Sequence, residues 1–308
     1  MNDLIRRAIA AEAEERVDSR TVLANLHKAK KRKPLGMIVG VATLTVAAAA
    51  AAVIVPTTIK KTDAAPAGAP ASKAENVLLI GTDDVGNTDA LMLARFPADG
   101  QAALVVSLPR DILVDEIRIN GLFAQDPKKL TDAVTKTTGA QVDHWAAVEM
   151  AEFGAISQAL GGVEVCLKAA SYDPITRASF PAGRQTLLGD RALAFLRQRH
   201  GLPNGDLDRA KRQQAFLVGL ASQVTKDKAA ALAREANRAI RVDDGWDVLE
   251  FAQRFSGAMG ISVSTLPVGE PVQRTTGYGY EVDPAQAQEF VHNALGGQDK
   301  SGGVDCVD

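Results

Sequence analysis

The amino-acid sequence predicts an α/β fold, an α-β-α layered domain around a central mixed sheet, and three observations carry that prediction. Three short apolar runs, NVLLIG (76–81), ALMLARF (90–96) and AALVVSLP (102–109), follow one another closely and stop at Gly81 or Pro109, as buried strands do. Helical periodicity then takes over from residue 129 onward. Two further strand-like runs, GGVEVCL (161–167) and SVSTLPV (262–268), fall between helical stretches, and strands interleaved with helices argue for layers rather than a β-sandwich.

In chain order, residues 1–34 come first. Leu4, Ile5, Ala8 and Ile9 stand at helical spacing in an Ala/Glu/Arg-rich stretch, which predicts a short helix. Leu35 to Val55 is an uncharged run of 21 residues; at about 1.5 Å per residue it spans a hydrocarbon layer of about 30 Å. It reads as one uncleaved transmembrane helix, longer than the usual apolar region of a signal peptide. Lys28, Lys30, Lys31, Arg32 and Lys33 precede it and only Lys60 and Lys61 follow closely, which sets the N-terminus in the cytoplasm and everything after the span outside. Residues 56–75, with Ala, Pro and Gly but no periodicity, read as a semi-extended linker.

A folded extracytoplasmic domain is expected over 76–296, with a tail at 297–308. After its three early strands, helices are predicted at 129–139, 151–161, 189–200, 208–225 and 285–296. Cys166 and Cys306 are the two cysteines of the chain; on the oxidising side of a membrane, a lone pair of this kind predicts one disulfide tying the tail to the sheet.

Composition narrows the function. With 46% apolar and 23% charged residues, the chain is neither disordered nor a coiled-coil rod. Residues 1–34 carry a net +4 of the total −2, leaving −6 for the rest; such a body is a poor partner for DNA or RNA, and no nucleic-acid binding is expected. There is no GxGxxG, GxxxxGK, GxSxG or HExxH, and the four histidines are scattered, which argues against dinucleotide, P-loop, serine-hydrolase and zinc-protease chemistry. His144, beside Trp145, reads as a packing residue.

The ionisable residues at the strand ends do not suit a purely structural domain. Asp83 and Asp84 follow the first strand in GTDD, Asp89 precedes the second in NTDALML, and Arg110 and Asp111 follow the third in SLPRD. Adjacent strands bring such loops to one edge, where open α/β sheets bind ligands. Asp84 and Asp111 are read as ordinary turn residues. Arg197 and Arg199 end one helix, and Asp206, Arg209 and Gln213 open the next at spacings of three and four, on one face. The cations chosen here are Arg184, Arg191, Arg197, Arg199, Arg209 and Arg212 against the single Lys211. Arginine's planar fork binds phosphate bidentately and tolerates burial. Carboxylates with several arginines, tethered near a bilayer, suit a metal-bound pyrophosphate.

The order GTDD, TDALML, SLPRD, RIN, GGVEV, LRQR and DLDRAKRQQ behind a single anchor closely resembles the LytR–CpsA–Psr family of cell-wall glycopolymer ligases. The resemblance covers roughly residues 76–296. It implies Mg2+ held with the help of Asp83 and Asp89, and a pyrophosphate surrounded by Arg110, Arg197, Arg199 and Arg209, with Asp206 and Gln213 completing the rim. It also implies an apolar tunnel for a polyprenyl chain.

The implied reaction moves a glycan phosphate from a polyprenyl-pyrophosphoryl donor to peptidoglycan, with Arg110 as a catalytic residue, Asp206 or Asp83 as general base, and a polyprenyl pyrophosphatase side activity. Two features depart from the family pattern. Asn87 stands where an arginine is common, and GLFAQDPKKLTDAV after RIN lacks the usual Gly-Gly. The competing readings are a non-catalytic polyprenyl-phosphate binding protein and a membrane-tethered transcriptional regulator.

Overall fold

The computed structural model describes residues 73–98, 102–223, 228, 235, 238–253, 260–274, 277–297 and 306–308. The N-terminal segment, the apolar run and most of the linker read above lie outside them. Among the described residues no helix is long and apolar enough to cross a membrane.

The first three predicted strands form as β1 (Glu75–Thr82), β2 (Thr88–Phe96) and β3 (Ala102–Ser107). Two short strands, β4 (Leu113–Val114) and β5 (Ile117–Arg118), make a tight hairpin. A one-turn helix, α1 (Leu122–Gln125), leads into α2 (Pro127–Thr138). The start of α2 follows from chemistry: the Asp126 side chain accepts from the Lys128 N–H and Pro127 fills the first turn, satisfying donors that a helix leaves unpaired. Its end comes at Gly139, in the left-handed region at φ 69°, where a glycine carries no Cβ penalty.

The chain continues through β6 (His144–Glu149), α3 (Glu152–Ala159), β7 (Val163–Leu167), the small β8 (Ser171–Tyr172) and β9 (Ser179–Phe180) pair, β10 (Gly183–Leu187) and α4 (Gly189–Arg197). Then come α5 (Asp206–Gln223), β11 (Ile240–Val242), α6 (Val248–Gln253), β12 (Gly260–Thr265), the hairpin of β13 (Pro271–Arg274) and β14 (Gly277–Tyr280), and α7 (Pro284–Leu295). The helix expected over 189–200 ends earlier, at Arg197. Gln198 turns to extended backbone, φ −61° and ψ 127°, so Arg199 lies beyond the helix.

Six strands form the central sheet in the order β11-β6-β1-β2-β3-β12. β6 runs parallel to β1 and β12 parallel to β3, while the other neighbours are antiparallel, so the sheet is mixed, as the sequence predicts. This arrangement sets the C-terminal ends of β1, β3 and β6 at the edge where β2 begins. Both faces are covered. Leu78, Ile80, Leu91, Leu93 and Val106 meet Leu130 and Val134 of α2 and Val291 and Leu295 of α7. Val77, Met92, Ala94, Phe96 and Val105 point the other way, toward Leu217 of α5, Trp246 and Phe251. The alternation on β1 and β2 is the period-two pattern of a strand with two buried faces.

A third cluster joins α3, α4, α5 and the β7/β10 hairpin through Ile156, Val165, Leu187, Phe195 and Phe216. α5 crosses β7 closely at Gly219, where any Cβ would collide with the Glu164 carbonyl oxygen. His144 packs as read: its ring stacks on Trp246 at 4.7 Å and its Nδ1 lies 2.8 Å from Asp243. The sulfurs of Cys166 on β7 and Cys306 stand at bonding distance. Beside them the tail adds a backbone rung, Val307 N–H to Cys166 carbonyl at 2.9 Å and Lys168 N–H to Val307 carbonyl at 2.8 Å.

Candidate active site

The strand-end residues converge at the sheet edge. Asp89 opens β2; Arg110 follows Pro109, just past β3; Asp206 and Arg209 occupy the first turn of α5. Arg110 Nη1 donates to Asp89 Oδ1 at 2.6 Å, and its Nε lies 3.7 Å from Asp111 and 3.8 Å from Asp206. Arg209 pairs with Asp206 at 2.5 Å and approaches the same Asp89 oxygen at 3.8 Å. Gln213, one turn further along α5, donates to the carbonyls of Asp89 (3.2 Å) and Leu196 (3.3 Å). Positions 206, 209 and 213 therefore do share one face, and that face is the wall of the site.

Burial sharpens the electrostatics. Arg209 is 5% exposed, and its pKa is lowered by burial first and by neighbouring Arg110 second, with Asp206 and Asp89 opposing. Arg110 Nε, Asp111 Oδ1 and Asp206 Oδ1 are buried without a hydrogen bond of good geometry. Asp206 Oδ1 still has Arg209 at 2.5 Å, but Arg110 Nε and Asp111 Oδ1 are held only by ion pairs of 3.6 to 3.8 Å, which is costly for buried polar atoms; an oxyanion and its counter-ion entering here would complete them.

Asp111 does stand in a turn, as read, but it is half-buried between Arg110 and Arg118, 3.6 Å from the latter. Burial raises its pKa, with Asp206 adding to the rise while Arg110 and Arg118 oppose it. Tyr280, which carries no motif, lines the same cavity as Asp89, Arg110, Asp206 and Arg209. Its phenol pKa is raised by burial, then by Asp206 and Asp111. The Tyr280 N–H donates to the Asp111 carbonyl at 2.9 Å, so the β13/β14 hairpin braces the SLPRD loop.

Asp83 occupies the β1–β2 turn. Its carboxylate accepts from the Val85 and Asn87 N–H groups and from the Asn87 amide, at 3.1, 2.7 and 3.0 Å. Although burial opposes it, these bonds and the charge of Arg197 hold its pKa below the ordinary value. Asn87 is thus a brace for the turn. Arg197 and Arg199 are exposed, and neither forms a salt bridge with a described residue. Arg199 Nε lies 3.3 Å from the His200 ring and influences Arg209 electrostatically. Three other arginines in the predicted set serve elsewhere. Arg184 pairs with Glu164, Arg191 lies over Phe180, and Arg212 is buried beneath the site.

Asp89, Asp111 and Asp206 roughly balance Arg110, Arg118 and Arg209, while Arg197 and Arg199 form no salt bridge with a described residue. Nor do the described residues include a group of three or more His, Cys, Asp or Glu arranged to hold a metal. Mg2+ takes one or two carboxylates and fills its remaining positions with water and phosphate oxygens. Both arginines reach Asp89 through Oδ1, so the hard oxygen donors of Asp89 and Asp83 suit such an ion.

Beside the polar cavity lies an apolar slot of about 70 Å³ between β1, β2, β6 and α5, lined by Leu79, Met92, Val148, Met150, Phe153 and Phe216. Ala90 and Gln213 border both spaces. The slot is apolar, as the tunnel implied by the resemblance would be.

The model of the LytR_cpsA_psr family matches residues 42–295. The chain is 36% identical over 264 residues to the cell wall biosynthesis protein LcpA of Corynebacterium glutamicum, covering 71% of this chain and 51% of that one. It is 31% identical over 193 residues to the polyisoprenyl-teichoic acid–peptidoglycan teichoic acid transferase TagU of Bacillus licheniformis, covering 56% and 62%. This chain thus spans between about half and two thirds of the length of these relatives. In fold it is similar to a LytR-Csp2A-Psr enzyme from Actinomyces oris, with TM-score 0.60 at 22% identity, covering 72% of this chain and 89% of that one.

Proposed function

Because this chain belongs to the LytR_cpsA_psr family, we propose that it is a membrane-anchored phosphotransferase of cell-wall assembly. It moves a glycan phosphate from a polyprenyl-pyrophosphoryl donor to peptidoglycan. The observation that carries this reading is the meeting of Arg110, Arg209, Asp89 and Asp206 at the mouth of an apolar slot. One surface then receives an anionic head and the first carbons of a lipid tail. With the anchor at 35–55, the domain works outside the cell membrane and the N-terminus is cytoplasmic.

In the reaction, an acceptor hydroxyl oxygen forms a bond to the glycan-bearing phosphorus while the bond from that phosphorus to the bridging oxygen breaks, releasing polyprenyl phosphate. Arg110 and Arg209, preorganised by their carboxylates, stabilise the negative charge that gathers on the phosphoryl oxygens. Arg197 and Arg199 hold the pyrophosphate from the solvent side. Asp206 receives the hydroxyl proton. It is better placed than Asp83, whose two oxygens already accept three loop hydrogen bonds. Gln213 keeps the start of β2 against the end of α4, and so keeps Asp89 in register with the arginines. Mg2+, if held by Asp89 and Asp83, would supply further neutralisation of the charge on the departing polyprenyl phosphate.

A second reading, a polyprenyl-phosphate binding protein without turnover, is favoured by Asn87, which braces the Asp83 turn where a further cation would otherwise face the phosphates. Turnover of a labelled lipid-linked pyrophosphate by the full chain in detergent, with and without Mg2+, separates them. Mg2+-dependent release of polyprenyl phosphate with labelling of peptidoglycan is expected. Tight binding without release would favour the binder, and a chain that neither binds nor turns over the lipid would end both readings.

A further inference from the structure

Arg212 is the largest fully buried side chain among the described residues. A buried guanidinium is costly unless its donors are satisfied, and among the described residues no side-chain carboxylate forms a salt bridge with Arg212. All three of its donating groups are used: Nη1 meets the Gln198 side-chain carbonyl at 2.7 Å, Nη2 the Ser171 hydroxyl at 2.8 Å, and Nε a main-chain oxygen of Asp308 at 2.9 Å. Its plane lies over Phe195, 4.9 Å from the ring centre, and 5.7 Å from that of Phe180. Burial lowers its pKa to about 10, with Asp208 and Asp308 opposing, so it remains a cation at neutral pH.

What this costly group holds is the residue between two arginines. Gln198 is fully buried and marks the point where α4 breaks into extended backbone. While its oxygen accepts from Arg212, its Nε2 donates to the His200 carbonyl at 3.2 Å. One amide therefore pins the backbone on both sides of Arg199 and terminates the helix that ends in Arg197. On α5, Arg212 sits between Arg209 and Gln213 in sequence but reaches Gln198, Ser171 and Asp308 and does not line the polar cavity.

We propose that Arg212 is a positioning residue for pyrophosphate recognition: through the Gln198 amide it fixes the segment that presents Arg197 and Arg199. The proposal rests on the phosphotransferase reading, in which those two arginines meet the pyrophosphate. Long exposed arginines gain affinity only if their stems start from a fixed backbone, since each otherwise loses more rotamer and chain freedom on binding. Lysine at 212 keeps the charge but lacks the planar fork that reaches three acceptors at once.

The test measures binding of geranylgeranyl pyrophosphate and of geranylgeraniol to the full chain in detergent. Wild type, Arg212→Lys, the pair Arg197→Ala with Arg199→Ala, and the triple variant are compared. Arg212→Lys is expected to weaken the pyrophosphate about tenfold, the scale of one charge-assisted contact, and to leave the alcohol unchanged. In the double-alanine background the same change is expected to cost nothing further, because coupled residues are not additive. Pyrophosphate affinity equal to wild type, an equal loss for the alcohol, or a full tenfold loss in the double-alanine background would each overturn the proposal. If Arg212→Lys does not fold, Ser171→Ala removes one bond to the same guanidinium. It is then expected to weaken the pyrophosphate alone about threefold, and unchanged affinity overturns the proposal. A wild-type chain that binds the alcohol but not the pyrophosphate would instead defeat the phosphotransferase reading on which this one rests.

Discussion

Arg110 touches Asp89, Asp111 and Asp206 at once, which holds its fork in place before any ligand arrives. Arg110→Ala is therefore expected to lower turnover by about 100-fold or more, on the scale of losing a preorganised electrostatic donor. Arg110→Lys should restore little of it. Measuring turnover and melting temperature on both variants decides the point, since a residue that only braced the loop would change the second without the first.

Asp111 makes a different prediction. Its carboxyl is raised in the folded state, so between the unfolded and folded pKa values the native protein binds more protons, and stability falls as pH rises through that window. Asp111→Asn should raise the melting temperature at pH 7, with the gain vanishing below about pH 4, near the ordinary carboxylate value. A variant less stable than wild type at both pH values would refute it. Arg110 and Asp206 were legible because they stand in specific motifs. Asp111 was not, because an aspartate after Pro-Arg has a sufficient local explanation as a turn residue, and only the tertiary approach of Arg118 and Tyr280 reveals its burial.

At the scale of elements, α5 carries both working faces of the molecule: Asp206, Arg209 and Gln213 toward the site, Phe216 and Leu220 toward the third core cluster. Its position against β7 depends on Gly219. Gly219→Ala gains helix propensity worth about 1 kcal/mol but pushes a methyl group into the Glu164 carbonyl. Backbone cannot yield as a side chain can, so a net loss of about 1–3 kcal/mol is expected. That corresponds to several degrees in melting temperature, and a calorimetric scan showing no fall would refute the close contact.

β6 shows why part of the sheet escaped the sequence. It pairs with β1 along six residues, yet HWAAVE has an apolar stretch of only a few residues opened by His144, whose polarity is satisfied by Asp243 across the fold. The strands of the β13/β14 hairpin are four residues each, too short for alternation to stand above chance. Runs such as ALMLARF were readable because burial on both faces makes the whole strand apolar.

For the molecule as a whole, Cys166 and Cys306, 140 residues apart, close a loop around the third cluster. In the chain-entropy picture a bridge of that span contributes up to about 5 kcal/mol. Intact-mass measurement after alkylation of the unreduced, denatured full chain is expected to show neither thiol modified; two alkylated cysteines would refute the bridge.

The strand order also has a consequence for biogenesis. β3 receives its outer partner only when Gly260 pairs with Ala102, Val263 with Val105 and Ser264 with Val106. Until then the folding chain presents an apolar β-edge ready to join another copy, and closing so distant a contact is slow. A chain cut before Gly260 should accordingly aggregate in light-scattering measurements even though Asp89, Arg110, Asp206, Arg209 and Gln213 are all present. Completion of the sheet would then act as a checkpoint on folding, guarded by the last of its six strands to arrive.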